Sequence, residues 1–162
     1  MNNNSYEKLK KQVWDMLKDC PSHKASVWHH FCGVAVLCAF LGLKRGLDAD
    51  ICKCAGLLHD LWLFLHFPLE YEMHRKHGYI GSELAQKILA QNGGYSEQQI
   101  EIICKMIYNH NDKDTVDDVY SETLKDADAL EHDLNQSDYD KKYNDHGRIE
   151  KILDEFMIKE NG

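Results

Sequence analysis

The stretch Gly56-Leu57-Leu58-His59-Asp60-Leu61-Trp62-Leu63-Phe64-Leu65 places two polar side chains, His59 and Asp60, inside an almost wholly apolar run. An ionised carboxylate loses strong solvation when it moves into an apolar core, so a buried Asp needs a positively charged partner. The adjacent residue is a His, the commonest side-chain metal ligand. A divalent cation held by His59 and Asp60 is therefore the simplest arrangement that this stretch predicts.

The surrounding sequence shows helical periodicity and no alternating strand pattern of useful length, which predicts an all-α fold. Asn92-Gly93-Gly94 is typical of a helix end, and Ser96 with Gln99 resembles a capping box. No internal repeat or linker divides the chain, so we expect one domain, a helical bundle, over residues 1–162. The predicted helices span about 5–18, 24–43, 50–65, 78–91, 97–109, 119–134 and 146–159, with loops at 67–76 and 111–118.

Side chains that bind metals recur on the apolar stripes of these helices. His30 lies on the stripe of helix 24–43, and His110 extends the stripe of helix 97–109. Taken alone, each His is more simply explained as a core residue that bonds to a carbonyl, and Asp128 as a surface or cap residue. Together they offer the mixed nitrogen and oxygen ligands of a transition-metal site, which helical bundles build from facing helices. The candidate metal ligands are His30, His59, Asp60, His77, His110 and Asp128.

Charge and cysteine content restrict the classes of partner. The formal net charge of −8 argues against an extended nucleic-acid backbone, because such binding rests on clustered Lys and Arg. No stretch reads as a membrane span, and the first residues lack the features of a signal peptide. The six cysteines form no CxxC pair and are predicted to be reduced core thiols. We expect a cytoplasmic protein with a small-molecule partner; no oligomeric state is indicated.

The order of the candidate ligands resembles the HD superfamily of metal-dependent phosphohydrolases over about residues 23–134. Leu57-Leu58-His59-Asp60 is the most specific part, supported by Ala127-Asp128-Ala129-Leu130. The resemblance implies an HD-type bundle with a buried site for one or two divalent ions: iron, manganese, nickel or cobalt, with magnesium as a further candidate. It implies that the first ion is held by His30, His59, Asp60 and Asp128, and the second by His77 and His110, with Asp60 bridging both.

The segment after the His-Asp pair departs from parts of this superfamily. Residues 61–64 are Leu-Trp-Leu-Phe, where cyclic dinucleotide phosphodiesterases would carry a Lys near position 63 and guanosine tetraphosphate hydrolases a Glu-Asp pair. The remaining resemblance is to small stand-alone members, such as symmetrical dinucleoside tetraphosphatases or small nucleotidases. His74 lies at the same loop-to-helix junction as His77 and remains an alternative ligand there.

The resemblance implies hydrolysis of a small phosphorylated, nucleotide-like metabolite. A metal lowers the pKa of bound water and stabilises charge on phosphoryl oxygens. Asp60 would be the catalytic residue, which holds the ions and orients or deprotonates the attacking water; the sequence offers no separate general acid. Two alternatives share the same ligand order: a di-iron oxygenase of this superfamily, and a metal- or nucleotide-binding sensor without turnover.

The remaining polar residues of interest are interpreted as structural or solvated. His66 is predicted to support the site or the fold, and residues 112–118 to form a solvated acidic loop. Arg75 and Lys76 are predicted to lie in a solvated loop. Surface or packing roles are predicted for His23, His29, His132 and His146.

Overall fold

In a computed structural model of the protein, residues 3–18, 20, 24–68, 70–135 and 147–157 are described. All regular secondary structure within these ranges is α-helical, which confirms the predicted fold class. The helices are α1 (Asn3–Leu17), α2 (Lys24–Lys44), α3 (Ala49–Leu58), α4 (Leu61–Leu65), α5 (Tyr71–Arg75), α6 (His77–Asn92), α7 (Glu97–Asn109), α8 (Val119–Asn135) and α9 (Arg148–Phe156).

Helix ends follow the predicted capping signals. Ser96 accepts a hydrogen bond from the backbone N–H of Gln99, whose side chain accepts from the Ser96 backbone, so the capping box at the start of α7 is confirmed. Gly93, with a φ of 75°, ends α6. Asp48 caps α3 through its side chain. Local sequence therefore sets these helix boundaries, and with them the positions of the residues that lie at helix ends.

Two helix predictions were wrong near the His-Asp pair. The predicted helix 50–65 is broken into α3 and α4, with Asp60 between them at φ −108° and ψ 9°. Consecutive residues of a continuous helix point about 100° apart, so the break lets His59 and Asp60 both face the interior. The predicted loop 67–76 contains the short helix α5. The predicted ends of the last helix, at 146 and 159, lie outside the described residues.

The core forms where α2 packs against α3 and α8, while α6 and α7 pair beside α3. Phe31, Leu57 and Ile107 are fully buried there. None of the six cysteines forms a disulfide; three are buried as predicted, whereas Cys20, Cys32 and Cys104 are partly exposed. The helices that carry the candidate ligands are therefore the ones that build the core.

Two glycines permit close contact between these helices. A Cβ on Gly56 would lie 2.7 Å from the Ala35 Cα, so α3 meets α2 backbone to backbone. A Cβ on Gly78 would lie 2.8 Å from the Tyr108 carbonyl oxygen of α7. Because Gly56 precedes His59 by three residues and Gly78 follows His77, these contacts bring each His beside a neighbouring helix.

By length and composition, one helix in the described part of the chain could cross a membrane, namely Ala25–Lys44. The same helix packs against α3 and α8 and carries Phe31 and Val34 into the core. In this fold it is a central core helix.

Candidate metal centre

The six candidate ligands converge at the bottom of one cleft. His30 comes from α2, His77 begins α6, and His110 directly follows α7. His59 and Asp60 occupy the break between α3 and α4, and α8 contributes Asp128. All six side chains are at most 12% exposed. Helices that are distant in sequence therefore deliver their ligand-type residues to one buried position.

The first group contains two imidazoles and two carboxylates. The Nε2 atoms of His30 and His59 are 3.1 Å apart. Asp128 Oδ1 lies 3.8 Å from the former and 3.5 Å from the latter. Asp60 Oδ2 lies 3.4 Å from His59 Nε2. The ligand atoms of His30, His59 and Asp128 lie within 4.8 Å of one another, and Asp60 Oδ2 adjoins this cluster.

The second group shares Asp60 with the first. Asp60 Oδ1 lies 3.2 Å from His77 Nε2 and 3.1 Å from His110 Nε2. The two Nε2 atoms are themselves 3.1 Å apart. Asp60 therefore faces the first group with Oδ2 and the second group with Oδ1, which is the arrangement of a bridging carboxylate.

The opposite ring nitrogen of each His is held by an acceptor. His30 Nδ1 donates to Glu131 Oε2 at 2.6 Å, and His59 Nδ1 donates to the Gly56 carbonyl at 2.8 Å. His77 and His110 donate likewise to the carbonyls three residues before them. A neutral imidazole that donates from Nδ1 carries a lone pair on Nε2. In all four rings Nε2 is therefore the nitrogen that faces the two groups and can bind a metal.

This donor set fits divalent metal ions. Four imidazole Nε2 atoms and two carboxylates supply the mixed nitrogen and oxygen ligands that transition metals bind. Asp128 Oδ1 is buried and has no hydrogen-bond partner among the described residues. First-row ions bind such ligands at about 2.0–2.2 Å, so neighbouring ligand atoms should lie about 3.0–3.5 Å apart, close to the 3.1–3.9 Å separations here. The site's chemistry therefore suits one or two transition-metal ions.

The pKa values of the candidate ligands also indicate that the site favours positive charge. Burial would raise the pKa of Asp60, but the surrounding imidazoles hold it well below its usual value. Burial would also raise the pKa of Asp128, but Lys113 and His59 hold it well below its usual value. Both carboxylates are thus ionised at neutral pH. Burial would lower the pKa of His30, but hydrogen bonds to Asp60 and Glu131 raise it to about 10.

The cleft above the two groups has a volume of about 920 Å³. Val27, Leu63 and Phe64 form an apolar wall, and polar residues including Lys113 and His132 complete the lining. This volume lies within the range of about 300–1,000 Å³ that is typical of small-molecule sites.

Comparison with known proteins identifies the family, because the HD domain matches residues 27–133. The chain belongs to the HD domain family. Ribonuclease Y of Geobacter metallireducens is 32% identical over 114 residues, which are 70% of this chain and 19% of that protein. Ribonuclease Y of Thermotoga petrophila is 33% identical over 95 residues, which are 59% of this chain and 16% of that protein.

This HD domain chain therefore spans less than a fifth of the length of these curated relatives. No solved structure matches the chain significantly.

The HD domain contains two charged residues beside the candidate ligands that sequence reasoning missed. Glu131 fixes the ring of His30, and its other oxygen accepts from Asn135 Nδ2 at 2.7 Å. Lys113 Nζ lies 2.7 Å from Asp128 Oδ2. The spacing of Glu131 three residues after Asp128 was an available signal, since both lie on one helix face. Lys113 sits in an irregular segment, where no periodicity points to it.

The acidic segment 112–118 is irregular and largely exposed, as predicted, but it is also anchored to the core. Asp117 binds the fully buried Lys125 at 2.7 Å, and the same ammonium donates to the Thr115 carbonyl. Arg148 Nη2 of α9 donates to the Lys113 carbonyl at 3.1 Å. Two buried cations therefore attach this segment to the HD domain core.

The remaining histidines have different positions. His74 lines the cleft and accepts the His77 Nδ1–H with its carbonyl, so geometry favours His77 over His74 beside Asp60. His132 also lines the cleft, 3.5 Å from Asp128 Oδ1; its side chain is 41% exposed, so the predicted surface position also adjoins the candidate site. His66 is exposed and stacks on the ring of Trp62. His23 and His146 lie outside the described residues.

Proposed function

We propose that the protein is a metal-dependent phosphohydrolase that acts on a small phosphorylated, nucleotide-like metabolite. The observation that carries this proposal is the convergence of four imidazole Nε2 atoms with the carboxylates of Asp60 and Asp128 at the base of an open cleft in an HD domain. Such a donor set suits iron, manganese, nickel or cobalt, with magnesium as a harder alternative.

In this proposal His30, His59, Asp60 and Asp128 hold the first ion, and Asp60, His77 and His110 hold the second. Bound there, divalent ions would supply an activated water and neutralise charge on the phosphoryl oxygens. Glu131 accepts the Nδ1–H of His30, which leaves Nε2 as the nitrogen that would bind metal once metal displaces its proton. Asp60 is the central residue, because each of its oxygens serves one group.

The cleft supports a substrate with one apolar and one anionic part. The phosphoryl group belongs at the base, beside the candidate ligands, and the wall of Val27, Leu63 and Phe64 would contact an organic group such as a nucleoside. The net charge of −8 favours a small substrate, since a metal centre offsets repulsion locally but not along a polymer. We further propose a cytoplasmic location, which suits six thiols without a disulfide.

The test is phosphate release from a panel of nucleotides under strict anaerobiosis, with manganese, iron, nickel, cobalt or magnesium added in turn. We expect release with at least one metal and its loss in Asp60→Asn. Absence of phosphate release in this panel, together with substrate-dependent oxygen consumption by the iron form in a separate assay in air, would instead indicate the oxygenase. Tight nucleotide binding without either reaction would indicate a sensor.

A second candidate is cleavage of a phosphodiester in RNA. It is favoured by the similarity of the matched region to proteins named ribonuclease Y. A short single-stranded RNA in the same panel separates the two candidates. Cleavage of this RNA at a higher kcat/KM than any mononucleotide would replace the metabolite by RNA as the substrate.

A further inference from the structure

Lys113 occupies an unusual position beside the candidate metal centre. Its Nζ lies 2.7 Å from Asp128 Oδ2, while Asp128 Oδ1 faces His30 and His59. Only the width of one carboxylate therefore separates this ammonium from the first ligand group. The Lys113 side chain is 16% exposed and lines the cleft.

The backbone that carries Lys113 is held in place from two sides. Arg148 donates to the Lys113 carbonyl at 3.1 Å, and the buried Lys125 donates to the Thr115 carbonyl at 2.7 Å. Asp112 accepts from the backbone N–H groups of Asp114 and Thr115. Because this backbone is already ordered, ligand binding by Lys113 would cost less entropy than binding by a Lys on a mobile loop.

The ammonium also retains hydrogen-bonding capacity. A Lys ammonium has three N–H donors. Asp128 Oδ2 accepts one of them, and the Lys125 carbonyl, at 3.3 Å, accepts a second. Because the three N–H bonds diverge tetrahedrally, the third points away from both of these acceptors. Since Lys113 lines the cleft, a bound anion could accept this third bond.

We propose that Lys113 binds a non-bridging oxygen of the substrate's phosphoryl group. This inference rests on the proposed function and adds to it the residue that recognises the phosphate. Asp128 faces the first ligand group with one oxygen and Lys113 with the other. The oxygens of a phosphoryl group are about as far apart as those of a carboxylate. A phosphoryl group bound at the first ligand group would therefore reach Lys113 with a second oxygen in the same way. The ammonium binds Asp128 and the phosphate together, as a shared cation between two anions.

The competing explanation is that Lys113 only holds Asp128 in place. The two roles differ in what a neutral substitution changes. A positioning role predicts weaker metal binding, because Asp128 would lose its partner. A phosphate-binding role predicts weaker anion binding at unchanged metal affinity.

The experiment measures binding of inorganic phosphate to the manganese-loaded full chain by calorimetry. Lys113→Gln is compared with Lys105→Gln, which removes the same charge from a side chain that is 62% exposed and pairs with Asp118. Manganese affinity is measured for each variant by competition with a fluorescent chelator, and circular dichroism checks folding. Lys113→Arg keeps the positive charge and tests for rescue.

We expect Lys113→Gln to weaken phosphate binding by about 10- to 100-fold, the range for a lost charged hydrogen bond. Manganese affinity should stay within about twofold of the parent, and Lys105→Gln should change neither quantity. Lys113→Arg should recover most of the phosphate affinity, which also shows that the position tolerates substitution.

Unchanged phosphate affinity in Lys113→Gln would overturn the proposal, and so would a parallel loss of manganese affinity, which would make Lys113 a positioning residue for Asp128. Absence of phosphate binding to the loaded parent protein would overturn it as well. None of these results decides whether the protein hydrolyses phosphoesters, because that question is answered by the nucleotide panel alone.

Discussion

Replacement of Gly56 by Ala tests whether the close contact of α2 and α3 builds the first ligand group. The new Cβ would lie 2.7–2.8 Å from the Ala35 Cα, the Ala35 nitrogen and the Val34 carbonyl oxygen. Ordinary contact begins at 3.4 Å, so the helices must separate by about 0.7 Å. All three atoms belong to the backbone and cannot rotate away.

Two effects of opposite sign then compete. Ala favours a helix over Gly by about 1 kcal/mol. Overpacking of a tight core typically costs about 1–3 kcal/mol, and an immobile backbone neighbour places Gly56→Ala at the upper end. We expect a net loss of about 1–2 kcal/mol, or about 2–8 °C in Tm for a chain of this size.

The same displacement should weaken metal binding. His59 directly follows the end of α3, three residues after Gly56, so separation of α3 from α2 should lengthen the 3.1 Å distance between the Nε2 atoms of His30 and His59. We expect about tenfold weaker binding at the first group, as is typical when ligand orientation is disturbed.

The assay combines thermal unfolding followed by circular dichroism with manganese titration, and Gly81→Ala is the matched control. Gly81 also lies in a buried helix beside the site, but its added Cβ would meet no atom closer than 3.5 Å. Gly81→Ala should therefore be as stable as the parent protein or slightly more so. A Gly56→Ala protein with the parent's Tm and full metal affinity would refute the reasoning.

Three further outcomes concern the ligand groups. Asp60→Ala should remove metal from both groups and abolish activity, whereas His29→Ala should leave metal content unchanged; equal losses by elemental analysis would contradict this. His110→Ala should reduce the manganese stoichiometry from two ions to one, unless the parent itself saturates at one. Although burial opposes it, Asp60 and Glu131 raise the pKa of His30 to about 10, so metal must displace a proton at neutral pH. Metal affinity should fall by about tenfold per unit as the pH decreases from about 8 to about 6, and calorimetry in two buffers that differ in ionisation enthalpy should detect the released proton.

The helices and several of the converging residues were predictable from periodicity, whereas His59 and Asp60 stood out as polar residues in an apolar run. A residue such as His110, which extends an apolar stripe, must face the core whatever the tertiary arrangement. Capping chemistry is equally local, so the start of α7 at Glu97 followed from Ser96 and Gln99. The order of the ligands along the chain then identified the family, which the match of residues 27–133 confirms.

Other features depend on contacts that a single sequence does not encode locally. The run around His59 is uniformly apolar, so its periodicity could not reveal the break between α3 and α4. Lys113 belongs to an irregular segment, and its place beside Asp128 depends on Arg148, 35 residues away in sequence. Lys125 looks like a surface residue in sequence, yet its side chain is fully buried against Asp117 and Glu122.

The single carboxylate of Asp60 makes the two ligand groups interdependent. An ion held at Oδ2 would draw electron density from Oδ1, so a second ion would meet a poorer donor than the first. By thermodynamic reciprocity, the second ion weakens the hold on the first by the same factor. Occupancy would then respond gradually to metal concentration, and the protein would pass through a one-ion form over a broad range of metal supply.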